Sequence, residues 1–270
     1  MNAERTFLKK STDNFKNPFV PNGFTYVKGK WNNGFVISDI YGNEFAWIPV
    51  GSLKRNGTLD GVSFDKQFGL RNWYKNDFSE NGWHEVVPQE VLKSIEVYGG
   101  FYFSCFPASL ENSRVVFKRG NYPLVKITYF EALKYEKSFQ TDSSEVEHCL
   151  MFGSAYDSLF EWIIEAGTLK KDEVLDDSTE LGNYANNVKY VVKSMAKTGS
   201  NEAWGFHNIY DLAGNVSEWT QEQYSDYYRV LRSCNYRTVG RYWPMAERYY
   251  REYPNFYAYL GSFRTMMYHK

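Results

Sequence analysis

The sequence predicts a mixed α+β fold with much irregular loop structure. Short runs of β-branched and aromatic residues, bounded by Gly, Asn and Pro, fill the chain from Pro21 to Pro107. Two segments with helical periodicity follow, and after them comes a long stretch rich in Asn, Gly, Ser and Asp. With 270 residues, the chain can bury a substantial core.

The predicted strands lie in the segments GFTYVKG, NGFVISDIYGNEFAWIPVG and GGFYFSCFP. Inside the second segment, Asp39 to Asn43 reads Asp-Ile-Tyr-Gly-Asn between two apolar runs. Gly and Asn tolerate the backbone angles of tight turns, so this stretch predicts a hairpin loop between two antiparallel strands.

The predicted helices span Ile127 to Gln140 and Ser154 to Gly167. In the second, Leu159, Trp162 and Ile163 fall at i, i+3 and i+4, which places them on one apolar face. Residues 172–201 that follow predict mostly loop, and a compact domain with this much loop needs buried aromatic residues or bound ions to hold it.

Composition excludes several classes of function. The net charge is −1, so no basic field favours nucleic acid. No apolar run is long enough to span a membrane, and the N-terminus lacks the apolar core of a signal peptide. The three cysteines and four histidines show no metal-ligand spacing, which makes a histidine-built metal or catalytic site improbable. The odd number of cysteines, without a signal peptide, favours free, mostly buried thiols.

The segment NIYDLAGNVSEWT, from Asn208 to Thr220, is the most distinctive in the chain. Gly214-Asn215 is a turn signal, and Asp211 and Glu218 are close enough in sequence to share one small site. From the residues alone, this site could be catalytic, could hold a structural ion, or could be a well-packed turn.

Several segments, in order, resemble the formylglycine-generating enzyme (sulfatase-modifying factor) domain family. NIYDLAGNVSEWT is similar to the family's GLYDMAGNVWEWT, and YPLVKITYFEALKYEKSF to its PV-x-x-V-S-W-x-D-A-x-x-Y. Near the C-terminus, the segment RVLRSCNYR resembles the family's RVLRGGSW. The segment MAERYYREYP corresponds to the family's A-x-R and P, and LGSFRTM corresponds to its GFR. The resemblance spans Phe45 to Met266 and implies a C-type-lectin-like α+β fold.

The same resemblance implies a structural calcium ion in the distinctive segment. Its ligands would be the side chain of Asp211, the carbonyls of Gly214 and Val216, and the carboxylate of Glu218. A set of hard oxygen ligands suits Ca²⁺. The alternative is that both carboxylates only cap turns, while Trp219 packs inward.

The chemistry of the family's enzymes is not expected here. Its oxidases bind copper through a pair of cysteines near the C-terminus, whereas this chain has Cys234 and no later cysteine. The ergothioneine-synthesising relatives use a histidine-rich iron site on an extra N-terminal domain, for which the chain lacks the residues. The sequence therefore predicts no catalytic residues and neither copper nor iron.

The C-terminal part of the chain is rich in tyrosine, with 11 of the 23 tyrosines after Gln221. Family positions are kept at Leu231, Arg232, Ala246, Arg248, Pro254, Gly261, Phe263 and Arg264. Between them stand Tyr, Arg, Asn, Trp and Phe, which build adaptable binding surfaces. The predicted ligand-binding residues are Asn235, Tyr236, Arg237, Arg241, Tyr242, Trp243, Tyr249, Tyr250, Arg251, Tyr253, Asn255, Tyr257 and Tyr259.

This pattern resembles the variable proteins of diversity-generating retroelements, among them phage receptor-binding proteins. It implies a variable ligand-binding region over residues 232–264, within a domain at 21–270 that follows a polar N-terminal arm at 1–20. The leading hypothesis is a non-enzymatic protein that binds a protein or glycan on a cell surface.

The N-terminal arm would dock on a larger virion or surface assembly. A homo-oligomer would add multivalency. The protein would be located in a virion or in the cytoplasm. Two alternatives stay open. One is a divergent enzyme of the family, and the other is a virion or surface structural protein whose tyrosines fill subunit interfaces.

Overall fold

The computed structural model describes residues 18–50, 68–71, 73, 83–190 and 192–270. Side chains at 249–251 are not described. Most of the predicted N-terminal arm therefore lies outside the described residues. Of its last residues, Phe19 contacts the domain, because its carbonyl accepts a hydrogen bond from the Tyr102 hydroxyl at 2.7 Å.

A six-stranded sheet forms one layer, in the order β1-β2-β3-β4-β14-β7. Every adjacent pair in it is antiparallel. The predicted hairpin loop joins β2 to β3, where the Asp39 carboxylate accepts hydrogen bonds from the Tyr41 and Asn43 backbone N–H groups. The strands are β1 Phe24–Lys28, β2 Val36–Asp39, β3 Glu44–Pro49, β4 Gly100–Ser104, β7 Val146–Leu150 and β14 Thr265–His269.

A four-stranded sheet carries the C-terminal region, in the order β12-β11-β10-β13. Its β10 and β13 are parallel, whereas β10–β11 and β11–β12 are antiparallel. Its strands are β10 Ser217–Ser225, β11 Tyr228–Arg232, β12 Arg248–Glu252 and β13 Gly261–Phe263. Two small hairpins complete the strands, β5 Ser109–Glu111 with β6 Arg114–Val116 and β8 Gly205–Phe206 with β9 Ile209–Tyr210.

Both predicted helices are present. The first is α2, Tyr129–Ser138, which begins at a capping box formed by Thr128 and Glu131. The second is α3, Gly153–Glu165, and Gly167 takes the left-handed conformation (φ 70°) just beyond its end. Two further helices are α1, Gln89–Tyr98, and the short α4, Lys171–Leu175, and the described part of 172–201 is otherwise mainly loop and turn.

The helix α3 is central to the core. Leu159, Trp162 and Ile163 are buried, as their spacing predicts. The core is aromatic throughout, with Phe45, Phe103, Tyr156 and Trp219 fully buried. These elements form the predicted α+β, C-type-lectin-like fold. In the described part of the chain, no helix is both long and apolar enough to cross a membrane.

Candidate functional site

Four buried charged side chains lock the C-terminal strands onto helix α3. Arg232 on β11 donates to Asp157 at 2.5 Å and to Glu222 at 3.1 Å. Arg248 on β12 donates to Asp157 at 2.7 Å and also to Glu222. All four are at most 4% exposed. Burial raises the pKa of Asp157, but Arg232 and Arg248 outweigh it and lower that pKa below its usual value.

A third buried arginine ties the distinctive segment to the large sheet. Arg264 follows β13 and donates through Nε to Glu218 Oε1 at 2.8 Å. It also donates to the carbonyls of Ser104 and Tyr210. The other Glu218 oxygen accepts from the Tyr156 hydroxyl. The family positions with arginine thus hold the framework together from inside.

The loop that precedes Glu218 has an unusual backbone. Asp211, Gly214 and Asn215 all have positive φ angles, at 60°, 74° and 62°. At Gly214 a Cβ atom would lie 2.2 Å from the Asn183 carbonyl oxygen, which makes glycine necessary there. The Asn183 carbonyl also accepts from the Asn215 N–H at 3.0 Å, so the loop is fixed against a neighbouring segment.

Asp211 is fully buried, and its two oxygens differ. Oδ2 accepts a hydrogen bond from the Gly199 N–H at 2.8 Å. Oδ1 is buried and has no hydrogen-bond partner among the described residues. Burial raises the pKa of Asp211 to about 6, although the Gly199 N–H and Arg264 favour the charged form. A cation at Oδ1 would remove this penalty.

The implied calcium ligands fit such an ion by their chemistry. Asp211 supplies the unpartnered oxygen. Gly214 and Val216 lie on the same short loop, and their carbonyl oxygens could serve as metal ligands. Glu218 already accepts from Arg264 and Tyr156, but an ionised carboxylate has about four acceptor positions and can take a further partner. No cluster of three or more His, Cys, Asp or Glu that could hold a metal occurs among the residues described, so carbonyls would have to complete the set.

This loop directly supports the C-terminal region. The Tyr236 N–H donates to the Asn215 carbonyl at 3.2 Å, and Asn235 Nδ2 donates to the Ser217 hydroxyl at 3.3 Å. The Thr238 carbonyl accepts from the Ala185 N–H at 2.9 Å. The loop and the residue that follows it therefore bond directly to the turn at 235–238.

The predicted ligand-binding residues fall into four groups. Most are exposed at the surface: Arg237, Arg241, Tyr242, Tyr253, Asn255, Tyr257 and Tyr259. Tyr236 and Trp243 are half-buried. The side chains of Tyr249, Tyr250 and Arg251 lie outside the described set, although their backbone belongs to β12. Asn235 is the exception, because it is 6% exposed.

The prediction that Asn235 lies on an exposed face therefore needs correction. Its side chain donates to Ser217 and accepts from the Arg237 N–H, and its carbonyl accepts from the Thr238 hydroxyl. It is a turn-forming residue, as asparagine often is. By contrast, seven of the eight family positions are buried, the half-buried Pro254 being the exception.

Contacts link the two loops on either side of β12. Arg237 from the β11–β12 loop lies 5.2 Å from the ring centre of Tyr259 in the β12–β13 loop. Lys126, from the segment before α2, lies 5.0 Å from the same ring. The Tyr228 and Tyr253 hydroxyls are hydrogen-bonded at 3.1 Å. We call the exposed residues of these loops together with Lys126 the C-terminal face.

Sequence reasoning missed four aromatic residues and one lysine in this region. Tyr227, Tyr228, Phe256 and Phe130 lie on or beside the predicted segments, and three of them are exposed by 44% or more. Phe130 and Lys126 belong to a segment whose Ile127 pairs with Ala258. No local signal in the sequence could have shown that pairing.

The cysteines and the histidine near Asp211 have structural environments. Burial raises the pKa of Cys105, Cys149 and Cys234 well above the usual value of a thiol. His207 stacks on Trp162 with ring centres 4.0 Å apart, and burial lowers its pKa to about 4. These are inert thiols and a neutral, packed imidazole rather than an activated pair.

An open cleft of about 740 Å³ lies away from these residues, between the β5–β6 hairpin and the end of α2. Several of its polar groups already have partners. Lys118 pairs with Glu111 at 2.5 Å, and Asn43 bonds to Asp39 and to the Phe117 N–H. The cleft does not gather a nucleophile with an activating base.

The fold and the buried arginine framework define a C-type-lectin-like α+β domain. A family model, described as the sulfatase-modifying factor enzyme 1-like domain, matches residues 79–257. The chain therefore belongs to this family. Comparison with curated protein sequences found no significant match.

Among the solved structures that match this chain are two that cover most of its length. PvdO from Pseudomonas aeruginosa matches with a TM-score of 0.52 and 12% identity, over 90% of this chain and 100% of that chain. Treponema denticola variable protein 1 matches with a TM-score of 0.46 and 14% identity, over 92% of this chain and 99% of that chain. At these identities the PvdO match shows the fold alone.

Proposed function

We propose that this protein is a non-enzymatic ligand-binding protein that uses the C-terminal face to recognise a protein or glycan on a cell surface. The observation that carries the proposal is the contrast within residues 232–264. Family positions there are almost all buried, whereas Tyr253, Tyr257 and Tyr259 between them are more than half exposed. Exposed tyrosines on a rigid framework provide contact area at little cost in side-chain entropy.

The state of the thiols supports a role without oxidase chemistry. Cys234 is fully buried, its Sγ lies 4.0 Å from the Pro244 carbonyl, and burial raises its pKa. Copper binding and thiol redox chemistry require an accessible thiolate. A divergent enzyme of the family is the alternative, and oxidation of a cysteine-containing peptide by the copper-loaded protein would favour it.

We further propose that a calcium ion at Asp211, Gly214, Val216 and Glu218 serves as scaffold for the face. The unpartnered Asp211 Oδ1 and the direct bonds from this loop to the turn at 235–238 support this role. The ion would fix the loop and so pre-order the turn that carries Tyr236 and Arg237. It would take no part in chemistry.

The pattern of buried framework and exposed aromatic residues supports a proposal about the biological setting. Because this pattern resembles that of diversified variable proteins, we propose a phage or prophage protein, or another retroelement-diversified protein, acting in a virion or made in the cytoplasm. Its N-terminal arm would dock on a larger assembly. Several copies in one assembly would strengthen weak single-site binding.

Matched variants test the binding role. Labelled protein is screened on arrays of glycans and displayed peptides, alongside a face variant in which Tyr253, Tyr257 and Tyr259 are replaced by Ser. A control variant replaces three comparably exposed tyrosines elsewhere, Tyr26, Tyr41 and Tyr122.

We expect to find ligands that the control variant binds with the same affinity as the unmodified protein. The face variant should bind these ligands at least about tenfold more weakly, since aromatic residues dominate binding energy. The proposal fails if every ligand found is bound equally by all three proteins, or is lost equally from both variants.

A further inference from the structure

Two cations and two tyrosines form one cluster at the surface of the C-terminal face. Lys126 Nζ lies 5.0 Å from the ring centre of Tyr259, and the Arg237 guanidinium lies 5.2 Å from that ring on the neighbouring loop. Arg237 also lies 5.5 Å from the Tyr236 ring and donates to its hydroxyl at 3.2 Å. We call these four residues the basic cluster.

The basic cluster holds positive charge that the described residues do not neutralise. Within the described ranges, neither Lys126 nor Arg237 forms an ion pair with an Asp or Glu. The nearest acidic residue along the chain from Lys126 is Glu131, whose carboxylate accepts from Thr128 N and Oγ1 in the helix cap. Both cations are exposed, so they can accept a negative partner without moving aside a protein carboxylate.

The cluster continues into an apolar surface. The Ile127 backbone pairs with Ala258, and the Tyr129 N–H donates to the Pro254 carbonyl at 3.1 Å. Residues 126–130 therefore lie alongside residues 254–259. From these two segments Phe130 and Phe256 are exposed by 58% and 44%. Lys126 and these two exposed aromatic residues thus lie on adjoining segments.

We infer that the C-terminal face binds an acidic protein segment, with Lys126 and Arg237 receiving its carboxylates. This inference rests on the proposed function and specifies its ligand. Arginine donates two parallel hydrogen bonds to a carboxylate, and a lysine beside it adds charge. The exposed phenylalanines favour a protein segment over a glycan, because apolar protein side chains fill such surfaces at protein interfaces.

Peptide binding tests the inference on the whole protein. The probe is a fluorescent peptide that alternates glutamate with leucine, followed by fluorescence anisotropy. Matched peptides carry glutamine or lysine in place of glutamate, and labelled hyaluronan oligosaccharides supply carboxylates on a glycan. The test variant is Lys126→Gln with Arg237→Gln. The control variant is Lys189→Gln with Lys197→Gln, which removes two exposed lysines that also lie over tyrosine rings, those of Tyr190 and Tyr122.

We expect the glutamate peptide to bind best, to weaken about tenfold in the test variant, and to bind the control variant unchanged, since two exposed ion pairs contribute about this much. High salt should weaken the binding too. The inference is overturned if the glutamine peptide binds equally, if hyaluronan binds in place of the peptide, or if no peptide binds. Failure of the proposed function gives a different result. In that case the ligands found bind with an affinity that does not change when the tyrosines of the C-terminal face are replaced.

Discussion

At single residues, the buried ion pairs determine which substitutions the interior of the protein tolerates. Asp157 and Glu222 each contact both Arg232 and Arg248, and none of the four reaches solvent to a meaningful extent. Replacing such a group by an apolar one of similar size can be harmless only if the whole set is replaced. Removing one partner leaves an uncompensated charge inside the protein.

We predict that Asp157→Asn lowers the free energy of unfolding by about 3–5 kcal/mol, because Arg232 and Arg248 would lose one of the two buried carboxylates that they share. Urea denaturation followed by tryptophan fluorescence measures it. Asp142→Asn, at an exposed position, serves as control and should change stability by less than about 0.5 kcal/mol. A loss below about 1 kcal/mol for Asp157→Asn would show that the buried charges are not coupled as described.

Asp211 makes the calcium proposal testable through pH. Its pKa in the folded protein is about 6, above the ordinary value of 3.8. The folded state therefore binds the proton more tightly, and without calcium stability should fall as pH rises through the range from about 4 to 6. A shift of this size corresponds to about 3 kcal/mol.

Asp211→Asn should remove that loss, because the amide oxygen can still accept from the Gly199 N–H and asparagine tolerates the positive φ at this position. In chelator at neutral pH we expect the variant to be at least as stable as the unmodified protein. With calcium, only the unmodified protein should gain stability, by about 2.7 kcal/mol at a hundredfold excess over Kd. Thermal unfolding curves that calcium does not shift in either protein would rule out the ion.

At the scale of elements, the predictable parts are those with strong local signals. Three such features depend only on residues that are close together in the sequence. They are the Gly-Asn hairpin, the apolar face of α3 and the capping residues of α2. Helix α1 was missed, although Pro88 precedes it and Gly99 ends it with φ 77°. Val91 and Ile95, four residues apart, are buried on one face of α1, so the segment carried a helical signal that the prediction did not use.

The candidate site was predictable only in part for a similar reason. The exposure of the tyrosines that lie between the family positions could be inferred, because the residues around them show no two-residue or 3.6-residue apolar period. The burial of Asn235 could not, since it depends on a hydrogen bond to Ser217 at the start of β10. The contribution of Lys126 depends on the pairing of distant segments, which one sequence does not reveal.

The cap of α2 bears directly on the C-terminal face. Thr128 accepts from the Glu131 N–H at 3.1 Å, and the preceding residue Ile127 holds Trp219 Nε1 through its carbonyl at 3.0 Å. We predict that Thr128→Ala lowers stability by about 1 kcal/mol and increases hydrogen exchange across residues 126–131. Thr25→Ala, at an exposed strand position, is the control. Unchanged exchange over 126–131 would mean that the cap does not order this part of the face.

At the scale of the whole molecule, the protein separates support from display. Charged side chains are buried in the framework, where Arg232, Arg248 and Arg264 join strands to α3 and to the large sheet. Aromatic side chains are buried in the core but are also exposed over the C-terminal loops. A buried framework of this kind allows surface residues to vary without loss of the fold, as the proposed function requires.

The central claim is that the C-terminal tyrosines are displayed to solvent by a rigid framework. Mass-spectrometric footprinting of tyrosine in the purified protein tests it most directly, with light scattering to establish the number of subunits. We expect fast labelling of Tyr242, Tyr253, Tyr257 and Tyr259, and very slow labelling of the buried Tyr102, Tyr156 and Tyr184. Protection of the first group in the isolated protein, at the level of the second, would contradict it and assign those tyrosines to a core or a subunit interface.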